Sequence, residues 1–311
     1  MRPLSSVIEA IGETPLVELS RISDDLELEG RLLAKLDCLN PGYSKKDRAA
    51  KAIIEAARAE GVLREGQTVV ELTSGNMGTG LAIVCAVLGH SFVAVMSTGN
   101  SEERARMMRA LGAEVVLVPQ AEGGMRGQVS GADLALVEEE ARRITAARGA
   151  FRADQFARAG NPRAHETGTA PEIWRQSGQS VTAFCDFLGS GGTVGGAARF
   201  FEPLGVRCYA VHPDRLDHPI QGGGYGMPDL AHLSAVDLAG NLTVSGEEAA
   251  QYARMLARRE GIFGGYSAGA NLAAAITLLR GPERGGCVGF VVCDSGLKYL
   301  STDLWGESDA E

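Results

Sequence analysis

Short valine-rich runs alternate with helical patterns along most of the chain, and this alternation limits the fold more than any other feature. Residues 68–72, 92–96, 114–118, 181–188, 206–211 and 288–293 read as strands. Helical spacing predicts helices over about 79–88, 102–111, 132–147, 247–259 and 268–279, and one ending at Phe201. Ser130 and Asp133 stand at capping-box distance before one of them. Strands joined through helices run parallel, so the reading is an α/β fold whose sheets are covered on both faces. A chain of 311 residues holds one large domain or two of ordinary size. Its 41 glycines exceed the usual share and point to many turns and close backbone approaches.

Charge and composition exclude several classes of partner. A net charge of −9 disfavours nucleic acid and anionic membrane surfaces. No apolar run is long enough to span a bilayer. The six cysteines form no C-x-x-C pair and read as buried, reduced thiols of a cytoplasmic protein. The five histidines lack metal-binding spacing, so no metal is expected.

Four segments carry chemistry. In Asn40-Pro41-Gly42-Tyr43-Ser44-Lys45-Lys46-Asp47-Arg48, Ser44 and Asp47 have capping-box spacing, which places Lys46 at the second position of a helix. A helix N-terminus disfavours an ammonium and tunes such a lysine toward the neutral amine that condenses with an aldehyde. Glu71-Leu72-Thr73-Ser74-Gly75-Asn76-Met77-Gly78 lies between a strand and a helix, where backbone N–H groups and hydroxyls suit a carboxylate or phosphate. The same residues equally suit a plain helix-capping turn. Gly189-Ser190-Gly191-Gly192-Thr193-Val194-Gly195-Gly196 can cradle a phosphate. Val194 breaks the dinucleotide pattern, so a single phosphate monoester fits better. Asp294-Ser295-Gly296-Leu297-Lys298-Tyr299-Leu300 follows the last strand and offers a hydroxyl to a heterocycle nitrogen, or simply turns the chain.

In their order and spacing these segments resemble the cysteine synthase and cystathionine β-synthase family, pyridoxal-phosphate enzymes of the tryptophan-synthase-β fold. Further matches run from Ile11-Gly12-Glu13-Thr14-Pro15-Leu16-Val17 through Arg109-Ala110-Leu111-Gly112-Ala113, Gln155-Phe156, Asn161-Pro162, His165 and Pro171-Glu172-Ile173-Trp174 to Gly265-Tyr266-Ser267-Ala268-Gly269-Ala270. The resemblance implies two parallel-sheet α/β domains with pyridoxal 5'-phosphate in the cleft between them. Residues 1–40 and 151–311 would form the larger domain, and 41–150 a smaller, mobile one.

The resemblance also implies roles. Lys46 would form the internal aldimine and later move the α-proton. Asn76 would bond the ring hydroxyl, while Gly189, Ser190, Gly191, Gly192 and Thr193 hold the phosphate. Ser295 would meet the pyridine nitrogen. Thr73, Ser74, Gly75, Met77 and Gln155 would line the substrate carboxylate site. The implied reaction is β-replacement on serine or an O-activated serine through an aminoacrylate, with a sulfur or amine nucleophile. β-Elimination alone, or a catalytically silent scaffold, are the alternatives. The expected partners are a small amino acid and a small nucleophile, in a homodimer.

Three departures from the family pattern fall where substrates would sit. Met77 replaces the threonine of T-S-G-N-T-G. Gly-Tyr-Ser-Ala-Gly-Ala at 265–270 replaces G-I-S-S-G-A. The stretch 123–133 is longer, and Arg126 within it is expected to select an acidic second substrate or leaving group.

Overall fold

Alternating strands and helices assemble into two separate sheets in the computed structural model, which describes residues 3–124, 127–224 and 229–306. The chain begins with β1 (Leu16–Glu18), α1 (Ser20–Asp25) and β2 (Arg31–Lys35). It then passes through α2 (Lys46–Ala59), β3 (Val69–Leu72), α3 (Asn76–Leu88), β4 (Phe92–Ser97), α4 (Glu102–Ala110), β5 (Glu114–Val118), α5 (Gly131–Arg148) and β6 (Phe151–Arg152). α6 (Gly160–Ala164) and α7 (Ala170–Gln176) follow, then β7 (Ala183–Phe187), α8 (Gly192–Phe201), β8 (Arg207–Pro213), β9 (Gly240–Val244), α9 (Gly246–Glu260), α10 (Tyr266–Arg280) and β10 (Cys287–Val291).

The smaller sheet has the order β5-β4-β3-β6 and is parallel throughout. Its central strands β3 and β4 are buried at every position, which is why they read as continuous apolar runs instead of alternating. The larger sheet has the order β1-β2-β10-β7-β8-β9, parallel except for β1, which pairs antiparallel with β2. Apolar residues of α9 and α10 cover one of its faces, and those of α7 and α8 contribute to a second cluster. The apolar sides of α2 and α3 form the core of the smaller sheet, with Val137, Ala141 and Ile144 of α5 on another cluster.

Local chemistry sets the helix ends. α5 starts on a complete capping box, with Ser130 Oγ accepting from Asp133 N–H and the Asp133 carboxylate accepting in return. The start of α2 departs from expectation. Ser44 Oγ accepts from Lys46 N–H at 3.3 Å, and the Asp47 carboxylate turns to Gly42 N–H at 2.5 Å. Ser44 itself is bridged to Asp294. No capping box forms, Lys45 occupies the N-cap, and Lys46 is the first helical residue, not the second.

Below that helix start lies a buried ionic lattice. Arg48 donates to Asp37 at 2.9 and 3.0 Å and to Glu172 at 2.6 and 2.7 Å. Lys35 lies 2.6 Å from Glu172 and donates to Thr14 O at 2.6 Å and Gln176 Oε1 at 2.8 Å. The lattice ties α2 to β2 and α7, so the helix that carries Lys46 is anchored on the larger sheet.

Candidate active site

Strand ends bring the four segments together. The loop after β3, the loop after β7 and the turn after β10 all leave the carboxyl ends of parallel strands, where open α/β sheets gather ligands. Lys45, Lys46, Asn76, Gly189, Ser190, Gly191, Gly192 and Thr193 line one cavity with Asp186, Ser267 and Cys293. An adjoining cavity is lined by Lys46, Thr73, Ser74, Asn76, Met77, Gln155 and Ser190. Lys46 and Ser190 face both, so the two are halves of one cleft.

The glycine loop is shaped for an anion. Gly191 caps α8 with φ +79°, a conformation that side chains rarely adopt. A Cβ on Gly192 would lie 2.2 Å from Asn161 Oδ1. The first N–H groups of α8 have no intrahelical partner and point into the cleft with the positive end of the helix dipole. Asn161 Nδ2 donates to Ser190 Oγ at 2.8 Å, and His165 Nε2 stands 3.4 Å from Thr193 Oγ1. Burial, then the nearby Lys45 and Arg48 charges, hold His165 well below its ordinary range, so its ring is neutral. These features match the donor set a phosphate monoester needs.

Lys46 Nζ donates to Ser190 Oγ at 3.3 Å. Burial, and next the Lys45 ammonium, pull its amine down to about 8. Burial and the neighbouring ammonium thus act in the same direction as the helix dipole. Lys45, on the wall of the same cavity, is held in an ion pair with Asp186.

On the other side of the cleft, Thr73 Oγ1 accepts from the N–H groups of Gly75 and Gly78, both at 2.9 Å. The threonine therefore caps its own turn and keeps its hydroxyl proton as a donor. Gly75 has φ +123°, and a Cβ there would run into the Arg104 side chain at 2.6 Å. Gln155 Nε2 reaches Leu72 O at 3.4 Å, while its backbone carbonyl accepts from Asn161 at 2.7 Å. Met77 is 2% exposed and packs into the core of the smaller sheet while edging the cleft. Asn76 Nδ2 donates to Asp294 at 2.7 Å and its Oδ1 accepts from Lys298 Nζ at 2.8 Å. Lys298 is fully buried between Asp294 and Asp47, and burial lowers its amine below the usual range.

Two sequence expectations are not assembled with the others. Ser295 lies outside the cavity wall, with its Oγ accepting from Leu297 N–H at 3.3 Å, while Cys293 and Ser267 form the wall nearby. Arg126 lies outside the described residues. Conversely, the sequence reading passed over Asp186, Lys298 and Cys293. Asp186 had a signal: a lone carboxylate inside the buried strand Ala183-Phe184-Cys185-Asp186-Phe187 demands a cationic partner. All six cysteines are buried and unbridged, as expected, and no group of metal-ligating side chains occurs among the described residues.

Comparison with known proteins agrees with this geometry. A family model described as pyridoxal-phosphate dependent enzyme matches residues 7–294. A cysteine synthase of Staphylococcus aureus is 35% identical over 320 aligned positions, covering 99% of each chain. Among solved structures, O-ureido-L-serine synthase is 33% identical with a TM-score of 0.87, covering 100% of this chain and 98% of its own. The O-acetylserine-dependent cystathionine β-synthase of Helicobacter pylori is 29% identical with a TM-score of 0.89, covering 98% and 100%.

Proposed function

The chain belongs to the pyridoxal-phosphate-dependent enzyme family, and we propose that it carries out β-replacement on an O-activated serine with Lys46 as the cofactor-bearing lysine. The observation that carries this reading is the Lys46 amine, pulled down to about 8 and placed 3.3 Å from Ser190 of a glycine loop at a helix N-terminus. When bound, pyridoxal 5'-phosphate supplies the conjugated electron sink that lets a serine derivative lose its β-substituent.

This chain's residues do the rest. The N–H groups of Gly191, Gly192 and Thr193 and the hydroxyls of Ser190 and Thr193 hold the phosphate, with Gly189 giving the backbone room. Lys46 Nζ would hold the cofactor's aldehyde and would take the substrate α-proton. A lysine with its amine near 8 performs both tasks at neutral pH, because an appreciable fraction is already unprotonated. Asn76, clamped between Asp294 and Lys298, presents its amide edge to the ring hydroxyl. Ser295 would offer its hydroxyl proton to the ring nitrogen, since its Oγ only accepts from Leu297 N–H. Thr73, Ser74, Gly75 and Gln155 orient the substrate carboxylate, and Met77 walls it off from water.

The smaller unit, 41–150, is the part we take to move, pivoting on the start of α2 that the Arg48 ion pairs hold to the larger sheet; β6 pairs with the smaller sheet and carries the unit on to Arg152. Arg126 is retained as a candidate for selecting an acidic second substrate. Homodimerisation and a cytoplasmic location belong to the same proposal; six unbridged buried cysteines support a reducing compartment. No helix among the described residues is long and apolar enough to cross a membrane.

The test is product analysis. Serine, O-acetylserine and O-phosphoserine are each offered with sulfide, a thiol or an amine. A new β-substituted amino acid is the expected product. A keto acid with ammonia and no adduct would give elimination instead, and no turnover with any pair would overturn the reading. Sedimentation of the purified protein checks the dimer.

A further inference from the structure

Two adjacent lysines meet one buried carboxylate at the start of α2. Lys45 is 8% exposed, and its Nζ pairs with the Asp186 carboxylate. The other Asp186 oxygen accepts from Asn271 Nδ2 at 2.8 Å and lies 3.4 Å from Cys293 Sγ. Asn271 is held in turn, donating to Val291 O at 2.8 Å. The Lys45 backbone N–H donates to Cys293 O at 2.9 Å, so both ends of the residue are fixed to the larger sheet. Lys46, one residue on and turned by about 100° around the helix, finds a hydroxyl instead.

We propose that Lys45 and Asp186 form a positioning pair for the cofactor lysine, Lys45 standing as a fixed ammonium beside Lys46 and taking up the carboxylate that would otherwise pair with it. This rests on the reading of Lys46 as the cofactor lysine. The other titratable groups around Lys46 are Cys293 after β10, Glu71 on β3, and His165 and His232 beyond the glycine loop. Cys293 is neutral, because burial pushes its thiol up to about 12. Both histidines are held below their ordinary range by burial and stay neutral. Burial raises Glu71 to about 7. Lys45 differs from all of these: burial is the largest single influence and opposes its charge, but Asp186 and the Cys293 sulfur together outweigh it and hold Lys45 above the ordinary lysine range. It is thus a charge that does not titrate when Lys46 does.

The experiment is competitive acetylation of the full-length chain across pH, with peptide mapping to follow Lys46 alone. In Lys45→Met the Lys46 midpoint should rise by about one unit or more, since a like charge is lost and Asp186 is left facing Lys46. Cofactor reloading at neutral pH should slow by about tenfold per unit of that rise. Lys45→Arg keeps the charge and should keep the parental midpoint. If Lys45→Met does not fold, the comparison moves to Asp186→Asn and Lys45→Met/Asp186→Asn, where the single variant should titrate about one unit lower than the double. Midpoints within about 0.3 unit of each other in the pair that folds would overturn the proposal. Borohydride trapping of the cofactor separates the two readings. Label on Lys46 with an unmoved midpoint removes the positioning pair alone, whereas label on Lys45 removes the assignment of Lys46 itself.

Discussion

The first turn of α2 carries two cations on roughly opposite sides, and they live in opposite surroundings. Arg48 faces down into the lattice, where Asp37 and Glu172 each accept from its guanidinium at 3.0 Å or less. Against the cost of burial, these carboxylates hold Arg48 above its ordinary range. Lys46 faces up into the cleft, where among the described residues a single hydroxyl is its hydrogen-bond partner. The same helix start therefore separates a charge that is matched to hold the fold from one that is left short to do chemistry. Evolution of reactivity here needs no unusual side chain, only a carboxylate withheld from one lysine and given to its neighbour.

The largest expected effect breaks the upper side. Lys46→Ala should lower turnover by roughly 10³-fold, the scale of a lost proton-transfer group, and abolish the borohydride-stable link to the cofactor. Denaturation midpoints should barely change, because no carboxylate loses its partner. A variant with near-parental turnover would end the contrast.

Breaking the lower side has the converse signature. Arg48→Met leaves Asp37 and Glu172 buried with one cation fewer and should cost about 3–5 kcal/mol in chemical denaturation. A loss below about 1 kcal/mol would mean the lattice is solvated like a surface pair.

Glu71 sharpens the comparison through pH. Its carboxyl is buried on β3 with Arg152 Nε 3.8 Å away, and burial raises it to about 7 despite that arginine. An acid raised on folding is fully protonated in the native state below its unfolded value. Its contribution is therefore present at low pH and lost as pH rises from about 4.5 through about 7. Glu71→Gln should match the parent at acidic pH and exceed it by about 1–3 kcal/mol in alkaline buffer. Equal stabilities at both ends, measured by urea titration, would show that Glu71 does not carry this pH dependence.

The smallest effect concerns Ser295, which the structure leaves outside the cavity wall. Ser295→Ala should retain the cofactor, with a change of only ~1 kcal/mol in its binding. A colourless purified protein would show that this hydroxyl holds the cofactor, a role its bond to Leu297 N–H does not suggest.

Much of the fold was legible because buried parallel strands are uniformly apolar. The predicted strands over residues 68–72 and 92–96 fall on the fully buried β3 and β4, the one over 114–118 coincides with β5 at the sheet edge, and the capping box before α5 is present as read. β1, β2, β6 and β9 were missed for identifiable reasons. β6 has two residues, and β1 and β9 lie at sheet edges with half-exposed faces. β2 lies inside its sheet, next to the edge strand, but Arg31-Leu32-Leu33-Ala34-Lys35 contains good helix formers and ends in a lysine. That lysine is tolerated in the core because Glu172 and Gln176, far along the chain, come to meet it together with Thr14 O.

The candidate site divides in the same way. Glycine loops and a lysine at a helix start are local devices, written in consecutive residues, and the sequence alone determined the α/β class, the cofactor family and the segments that meet in the cleft. Which lysine is left without a carboxylate depends on Asp186, 141 residues away in the chain. Asn76 is likewise clamped by Asp294 and Lys298, more than 200 residues on. Charge pairing acts through space and is strongest where water is excluded, so only the tertiary structure decided which of these groups are neutral, which are fixed, and which face the substrate.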